Sequence, residues 1–219
     1  ILNHCNVSFA VLGTEESCTG DPAKRAGNEF TFQMQAMMNI QVLNGYEVKK
    51  IVTACPHCFN TLKNEYPELG GEYEVIHHTQ LIQDLINTGK LALKDGGVFK
   101  GKKITFHDPC YLGRANNVFD APRELIEKLD AELVEMKRCK TKGLCCGAGG
   151  AQMFKEAEKG NQEVNVNRTE EALATGAEII AVNCPFCNTM MRDGTKHFEK
   201  EDQVQVLDIA EIVNGSLKS

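Results

Sequence analysis

Cysteine is the residue type best placed to do chemistry in this chain. Thirty-four residues separate Cys110 from the adjacent pair Cys145-Cys146, and thirty-seven more lead to Cys184-Pro185-Phe186-Cys187. A second C-P-x-C, Cys55-Pro56-His57-Cys58, stands earlier in the chain, with Cys18 upstream of it. Each C-P-x-C follows an apolar run and opens a helical stretch. Proline suits the first helical turn, where its missing N–H would have had no partner. The free backbone N–H groups and the positive helix end then face the sulfurs, which favours thiolates and an anionic cluster. C-x-x-C alone fits zinc, iron–sulfur or dithiol redox use.

The vicinal pair discriminates among these. Neighbouring side chains diverge, so a single tetrahedral zinc rarely takes both, and a bridge between them would be strained. A cluster with several separated irons accepts both thiolates. Gly147, Gly149 and Gly150 let the backbone approach the sulfides and donate N–H groups to them. Iron–sulfur is the favoured chemistry, with zinc and a dithiol left open. Cysteines inside the glycine run, and no G-x-G-x-x-G spacing, make a dinucleotide loop a poor match.

Composition sets the bounds. The 219 residues can hold one or two domains with a sizeable core. The formal net charge of −6 and the lack of a basic stretch exclude nucleic acid as the main partner. No apolar run approaches the roughly 20 residues that span a bilayer, and no secretory signal pattern is present. Ile1-Leu2-Asn3, without an initiator Met, reads like the end of a helix and so like a piece of a longer chain. Ten cysteines amid α/β patterning favour thiolates on metal in a reducing, cytoplasmic compartment over disulfides.

The elements that must position the cysteines follow from apolar periodicity. Residues 7–12 read as a buried strand. A helix then presents Phe30, Met34, Met37, Met38 and Val42 on one face, as core filler, and ends near Asn44-Gly45. Residues 50–54 form a strand running into Cys55, and residues 74–76 another, followed by an amphipathic helix through Leu81 and Leu85. Residues 88–103 read as a linker. Residues 103–106 form a strand that delivers Cys110, residues 131–136 a strand leading to Cys145-Cys146, and 152–175 a helix stopped by Gly176. Residues 178–182 enter Cys184, and 203–207 are a strand before a last helix beginning near Ile209.

The second half repeats the first. Cys18 to Cys55 is 37 positions and Cys146 to Cys184 is 38, and Asn60-Thr61 is echoed by Asn188-Thr189. Two homologous lobes are the economical explanation. The expected fold is α/β, two tandem Rossmann-like lobes with pseudo-twofold symmetry over residues 1–95 and 96–219. Cysteines should sit at the C-terminal strand ends. A counterpart of Cys110 in the first lobe would fall about 17 residues before Ile1, so that lobe is expected to lack its first strand.

Cys110, Cys145-Cys146-Gly147 and Cys184-Pro185-Phe186-Cys187 resemble the cysteine-rich CCG domain of the heterodisulfide reductase B-subunit family, over essentially the whole chain. His107-Asp108-Pro109-Cys110-Tyr111-Leu112-Gly113-Arg114 is most similar to its flavoprotein-linked iron–sulfur oxidoreductase branch. Members of that branch include large membrane-bound proteins with a quinone-reactive haem domain. The resemblance implies a noncubane [4Fe-4S] cluster held by Cys110, Cys145, Cys146, Cys184 and Cys187. It implies an oxidoreductase relaying electrons between an electron-transfer flavoprotein, or another flavin or iron–sulfur subunit, and an acceptor such as quinone. A heterodisulfide or thiol reductase acting at the cluster, and a zinc-stabilised interaction module, are the alternatives. The first lobe departs from the pattern. Cys18, Cys55 and Cys58 make an incomplete metal set, with zinc or a second cluster as its occupant in the intact lobe.

Lesser candidates surround these. His57 lies between two thiols, placed to tune them or exposed on a loop. His77-His78 reads as a capping or packing pair, with lining a site or taking up a proton as the alternative, and Asp108 as a turn or cap residue. Arg114 is placed to offset cluster charge, bind an anion or form a surface ion pair. Cys139 reads as a free thiol and Cys5 as a buried core cysteine.

Overall fold

The computed structural model describes residues 1–156 and 159–218. Its strands are short, and every strand pair is parallel. In the first half β1 (Lys50–Thr53) pairs with β2 (Glu74–His77). In the second half the order is β4-β3-β5-β6, comprising β4 (Glu132–Leu133), β3 (Lys103–Phe106), β5 (Ile179–Val182) and β6 (Gln205–Asp208).

The central strand β5, Ile179-Ile180-Ala181-Val182, is buried at every position, as a parallel strand covered on both faces must be. Its side chains alternate between two cores. Ile179 and Ala181 join Ile104, Phe106, Leu125, Ile126, Ile212 and Val213 on one face. That face is covered by α4 (His78–Asn87), α5 (Asp120–Glu127) and α8 (Ile209–Gly215). Ile180 and Val182 join Cys146, Ala172, Cys187 and Met191 on the other face, under α6 (Val164–Leu173) and α7 (Pro185–His197). These last two helices cross closely. A Cβ on Gly194 would lie 2.0 Å from Thr169 Oγ1, so only glycine allows the approach.

The first-half core gathers Phe32, Ala36 and Ile40 of α2 (Glu29–Gly45), which follows the short α1 (Asp21–Arg25), with Phe59, Leu62, Tyr66 and Val75. Leu112, from the second half, is buried in the same cluster.

Several expectations are corrected. Residues 7–12 form no strand, and Phe9 and Val11 are 51% and 77% exposed, because no neighbouring strand pairs with them among the described residues. The Met-rich stripe of α2 is not core: Phe30, Met34, Met37 and Met38 face outward while Phe32, Ala36, Asn39, Ile40 and Leu43 are buried. Apolar residues occur on both faces of α2, so periodicity alone does not select the buried one. The strand at 131–136 shrinks to Glu132–Leu133, where pairing with Lys103 and Ile104 ends. The helix expected over 152–175 is a 3-10 turn at Gln152–Phe154 and α6; positions 157 and 158 lie outside the described residues. The stretch 88–103 is not a free linker, since Leu91 is in the core and Leu93 bridges to Leu217. Cys5 is half-buried against that core rather than inside it.

Both β2 and β6 lead into a helix through a capping box. His77 Nδ1 accepts from Thr79, with Gln80 returning to the His77 N–H. Asp208 accepts from the Ala210 N–H, with Glu211 returning to its own. His78 bonds Asp208 at 3.0 Å, tying the two caps together.

His77 is fully buried, and burial with the neighbouring His78 pushes its pKa from 6.5 down to about 3. The neutral ring is therefore the folded form. Its stabilising effect is complete above pH 6.5 and is lost as pH falls from 6.5 towards 3. Urea unfolding should lose about 2 kcal/mol less stability between pH 7 and pH 5 in His77→Asn, which keeps a capping oxygen, than in the parent. Equal pH dependence in the two proteins would refute this role.

Candidate metal centre

Three strand ends deliver the sulfurs to one place. Cys110 lies four residues after β3, Cys55 two after β1, and Cys184 two after β5. Cys55 and Cys184 are the N-caps of α3 (Pro56–Asn60) and α7, each with Pro at the first helical turn. The fourth strand-to-helix passage, between β4 and α6, carries Cys145-Cys146.

The thiols form one continuous array. Cys187 Sγ donates to Cys146 Sγ at 3.3 Å. Cys110 lies beside Cys145, Cys145 beside Cys146 and Cys187 beside Cys184, close enough that each thiol shifts its neighbour's pKa. The five cysteines singled out in the second half are therefore brought together, with Cys146, Cys184 and Cys187 buried. Cys184 also lies beside Cys55, and Cys55 beside Cys58, each close enough to shift the other's pKa. The two C-P-x-C pairs thus meet, a contact that the separate halves of the sequence do not announce.

The array supports thiolates. Hydrogen bonds from Cys110 and Cys146, and from the Gly147 N–H at 3.3 Å, hold Cys145 far below the usual thiol range. Bonds from Cys187 and Cys55 lower Cys184 as well. Their partners move the other way, Cys146 and Cys55 to about 12. Thiolate is the metal-binding form, so a set that already stabilises two of them suits a cation.

An iron–sulfur group fits these residues on three counts. The donors are all sulfur, and all ten cysteines of the chain are free rather than disulfide-bonded. Gly147, at φ +92°, takes a conformation that favours glycine and turns its N–H onto Cys145. Buried polar atoms without partners among the described residues, His107 Nε2 and the Asn183 amide, sit one residue beyond β3 and β5, and acceptor sulfides would satisfy such donors.

The first half carries a partial copy of this geometry. The Gly20 N–H donates to Cys18 Sγ at 3.4 Å with Gly20 at φ +87°, as Gly147 does to Cys145. Thr19 stands where Cys146 would, and its hydroxyl donates to Cys58 Sγ at 3.5 Å. Cys18 is exposed.

Among the lesser candidates, His57 is buried, not on an exposed loop. Its Nδ1 bonds Asp21 Oδ2 at 2.9 Å and its ring contacts Tyr111 and Phe186. A Cβ on Gly149 would meet its Cε1 at 3.3 Å, so the glycine run lies against this histidine. Arg114 donates to the Gly143 carbonyl, linking the Cys110 segment to the approach of Cys145, and forms no ion pair among the described residues. Asp108 is not a cap: it is buried and chelated by Arg123, at 2.8 and 2.9 Å. It also accepts from the Lys140 N–H at 2.6 Å. Cys139 stays a half-buried thiol with no bond to the array.

Sequence reasoning missed Asp21, Arg123 and Arg168 as supports of the centre. Each acts through a partner at least 15 positions away, which leaves no local signature. His107 was visible only as the residue two before Pro109.

Among the described residues no helix is long and apolar enough to cross a membrane. The chain is 49% identical over 218 residues to the probable iron-sulfur-binding oxidoreductase FadF of Bacillus subtilis. It is 43% identical to the EtfAB:quinone oxidoreductase of Syntrophomonas wolfei. To one of the subunits of the dihydromethanophenazine:CoB–CoM heterodisulfide reductase of Methanosarcina barkeri the identity is 36%. These matches cover 97–99% of this chain but 30%, 30% and 53% of the relatives' lengths. The name of the Bacillus relative and the all-sulfur donor set agree on iron–sulfur binding. The cysteine-rich domain profile CCG matches residues 1–63 and 104–192, and the chain belongs to that family.

Proposed function

We propose that this chain is the iron–sulfur electron-transfer part of an oxidoreductase, with a noncubane [4Fe-4S] cluster held by Cys110, Cys145, Cys146, Cys184 and Cys187. One observation carries the reading: five thiols from three separate strand-to-helix passages converge, with Cys187 donating to Cys146 at 3.3 Å and the Gly147 N–H to Cys145 at 3.3 Å. A bound cluster supplies one-electron redox chemistry. The protein's own residues hold it, donate N–H groups to its sulfurs and close it off from water on the α6–α7 side.

The chain then divides into lobes at 1–95 and 96–219, related as pseudo-twofold copies. The paired capping boxes and the repeated Gly N–H to cysteine contact support that division. Cys18, Cys55 and Cys58 offer three thiolates, one short of a closed zinc set, so zinc or a second cluster there requires a further donor. The donor of electrons is an electron-transfer flavoprotein or another flavin or iron–sulfur subunit, and the acceptor a quinone. The name of the Syntrophomonas relative, an EtfAB:quinone oxidoreductase, supports that pairing. We place the protein in the cytoplasm or on the cytoplasmic face of a membrane.

Anaerobically purified protein should be brown, with about four irons per chain. Reduced electron-transfer flavoprotein should bleach its visible absorbance and quinone should restore it. A colourless, zinc-replete protein would leave a zinc-stabilised interaction module. Oxidation by a heterodisulfide with release of two thiols would replace the relay with a disulfide reductase, the activity named for the relative at 36% identity.

A further inference from the structure

His107 follows β3 immediately and is fully buried. Its backbone N–H continues the sheet by bonding the Ala181 carbonyl at 2.9 Å, which fixes the residue against β5. The ring is fixed as well. Arg168, on α6 and also fully buried, donates from Nε to His107 Nδ1 at 3.0 Å. The guanidinium is itself held by the Arg138 carbonyl at 2.8 Å and Glu171 Oε2 at 3.0 Å. Asp108, next in sequence, is saturated by Arg123 and the Lys140 N–H and does not compete for the imidazole.

This arrangement decides a tautomer. A guanidinium has donors and no acceptor, so the nitrogen it addresses must offer its lone pair. Nδ1 is therefore unprotonated, and in the neutral ring the proton sits on Nε2. Nε2 is buried and has no hydrogen-bond partner among the described residues. The ligand atoms of His107, Cys146 and Cys187 all lie within 4.8 Å of one another. A buried N–H without an acceptor among the described residues, on a ring with a nitrogen within 4.8 Å of two sulfurs, is a donor suited to a sulfur acceptor. It is not a metal ligand, because its lone pair is used by the proton.

We propose that His107 is a fixed hydrogen-bond donor, through Nε2–H, to a sulfur at the Cys146–Cys187 edge of the iron–sulfur centre, and that Arg168 locks it in this tautomer and so bars it from ligating metal. The inference rests on the cluster placement proposed above. His107 is then a positioning and tuning residue. A hydrogen bond to cluster sulfur stabilises the more negative, reduced state, so its presence raises the reduction potential. Arg168 adds a buried positive charge, relayed through the imidazole, in the same direction.

Two measurements test this. The first needs no variant. Protein labelled with 15N-histidine is examined by pulsed electron paramagnetic resonance in the cluster's paramagnetic state. A weak nitrogen coupling together with an exchangeable proton on the same contact is expected. A strong, directly bonded nitrogen coupling, or none at all, overturns the proposal. The second is potentiometric titration of His107→Leu and His107→Gln. Leucine, which fills the site without a donor, should shift the potential to a more negative value, and glutamine, which keeps an N–H, should restore part of the shift. Potentials equal to the wild type in both overturn it, as does an equal shift in both. If the wild-type protein holds no iron, the cluster placement fails. If it holds iron and the histidine signals are absent, only the role of His107 fails.

Discussion

Cys146→Ser should abolish the visible absorbance and acid-labile sulfide of the anaerobically purified protein, while Cys18→Ser leaves both near wild-type levels. Cys146 is buried at the middle of the array, between Cys145 and Cys187. Serine fits the same space with a donor that gives up its proton far less readily and binds iron more weakly. Outer contacts to metal sites are typically worth about 10–100-fold in affinity, and loss of a central ligand should exceed that. Cys18 is exposed, and its neighbour Thr19 replaces the second thiol that a cluster of this kind would use. The far-ultraviolet circular dichroism of both variants should match the parent, since neither change alters a strand or helix. Iron retained by Cys146→Ser at wild-type stoichiometry would remove Cys146 from the ligand set. Iron lost on Cys18→Ser would shift the centre towards the first half.

The placement of the sulfurs was legible because its causes are local. A short β-branched run followed by C-P-x-C states both the strand and the helix start, and β1, β5, α3 and α7 fall where that pattern puts them. The stop at Gly176, now at φ +69°, has the same origin. What failed depended on partners. Val7 to Leu12 is apolar enough for a strand but has none beside it among the described residues, and a strand without a neighbour leaves its backbone groups unpaired. Helix α2 is apolar on both sides, so only tertiary context shows that Phe32, Ala36 and Ile40 face the core. The meeting of Cys55 with Cys184 was beyond a reading that took the two halves separately. So was the burial of Arg123 and Arg168: arginine is rarely fully buried unless paired, and nothing local marks either residue for it.

Those buried arginines lead to the largest expected effect on stability. Arg123→Met should destabilise the metal-free, reduced protein by about 3–5 kcal/mol, because breaking a buried pair strands the remaining charge. Arg123 grips both oxygens of Asp108, and it reaches Glu135 at 2.5 and 3.0 Å and the Phe119 carbonyl at 2.8 Å. Without it, Asp108 retains among the described residues only the Lys140 N–H at 2.6 Å. A domain's whole stability is typically about 5–15 kcal/mol, so the variant should lose a large share of it. The effect should reach the centre as well. Asp108 lies two residues before Cys110, and its bond to Lys140 anchors the segment that leads to Cys145. Loosening it moves one ligand relative to another. The double variant Arg123→Met/Asp108→Leu should recover much of the stability, since it removes the stranded carboxylate. It should not recover the cluster, since the Lys140 contact is gone. Urea unfolding measures the first outcome and iron per chain the second. A single variant within about 1 kcal/mol of the parent would show that the pair stabilises neither the fold nor the ligand loop.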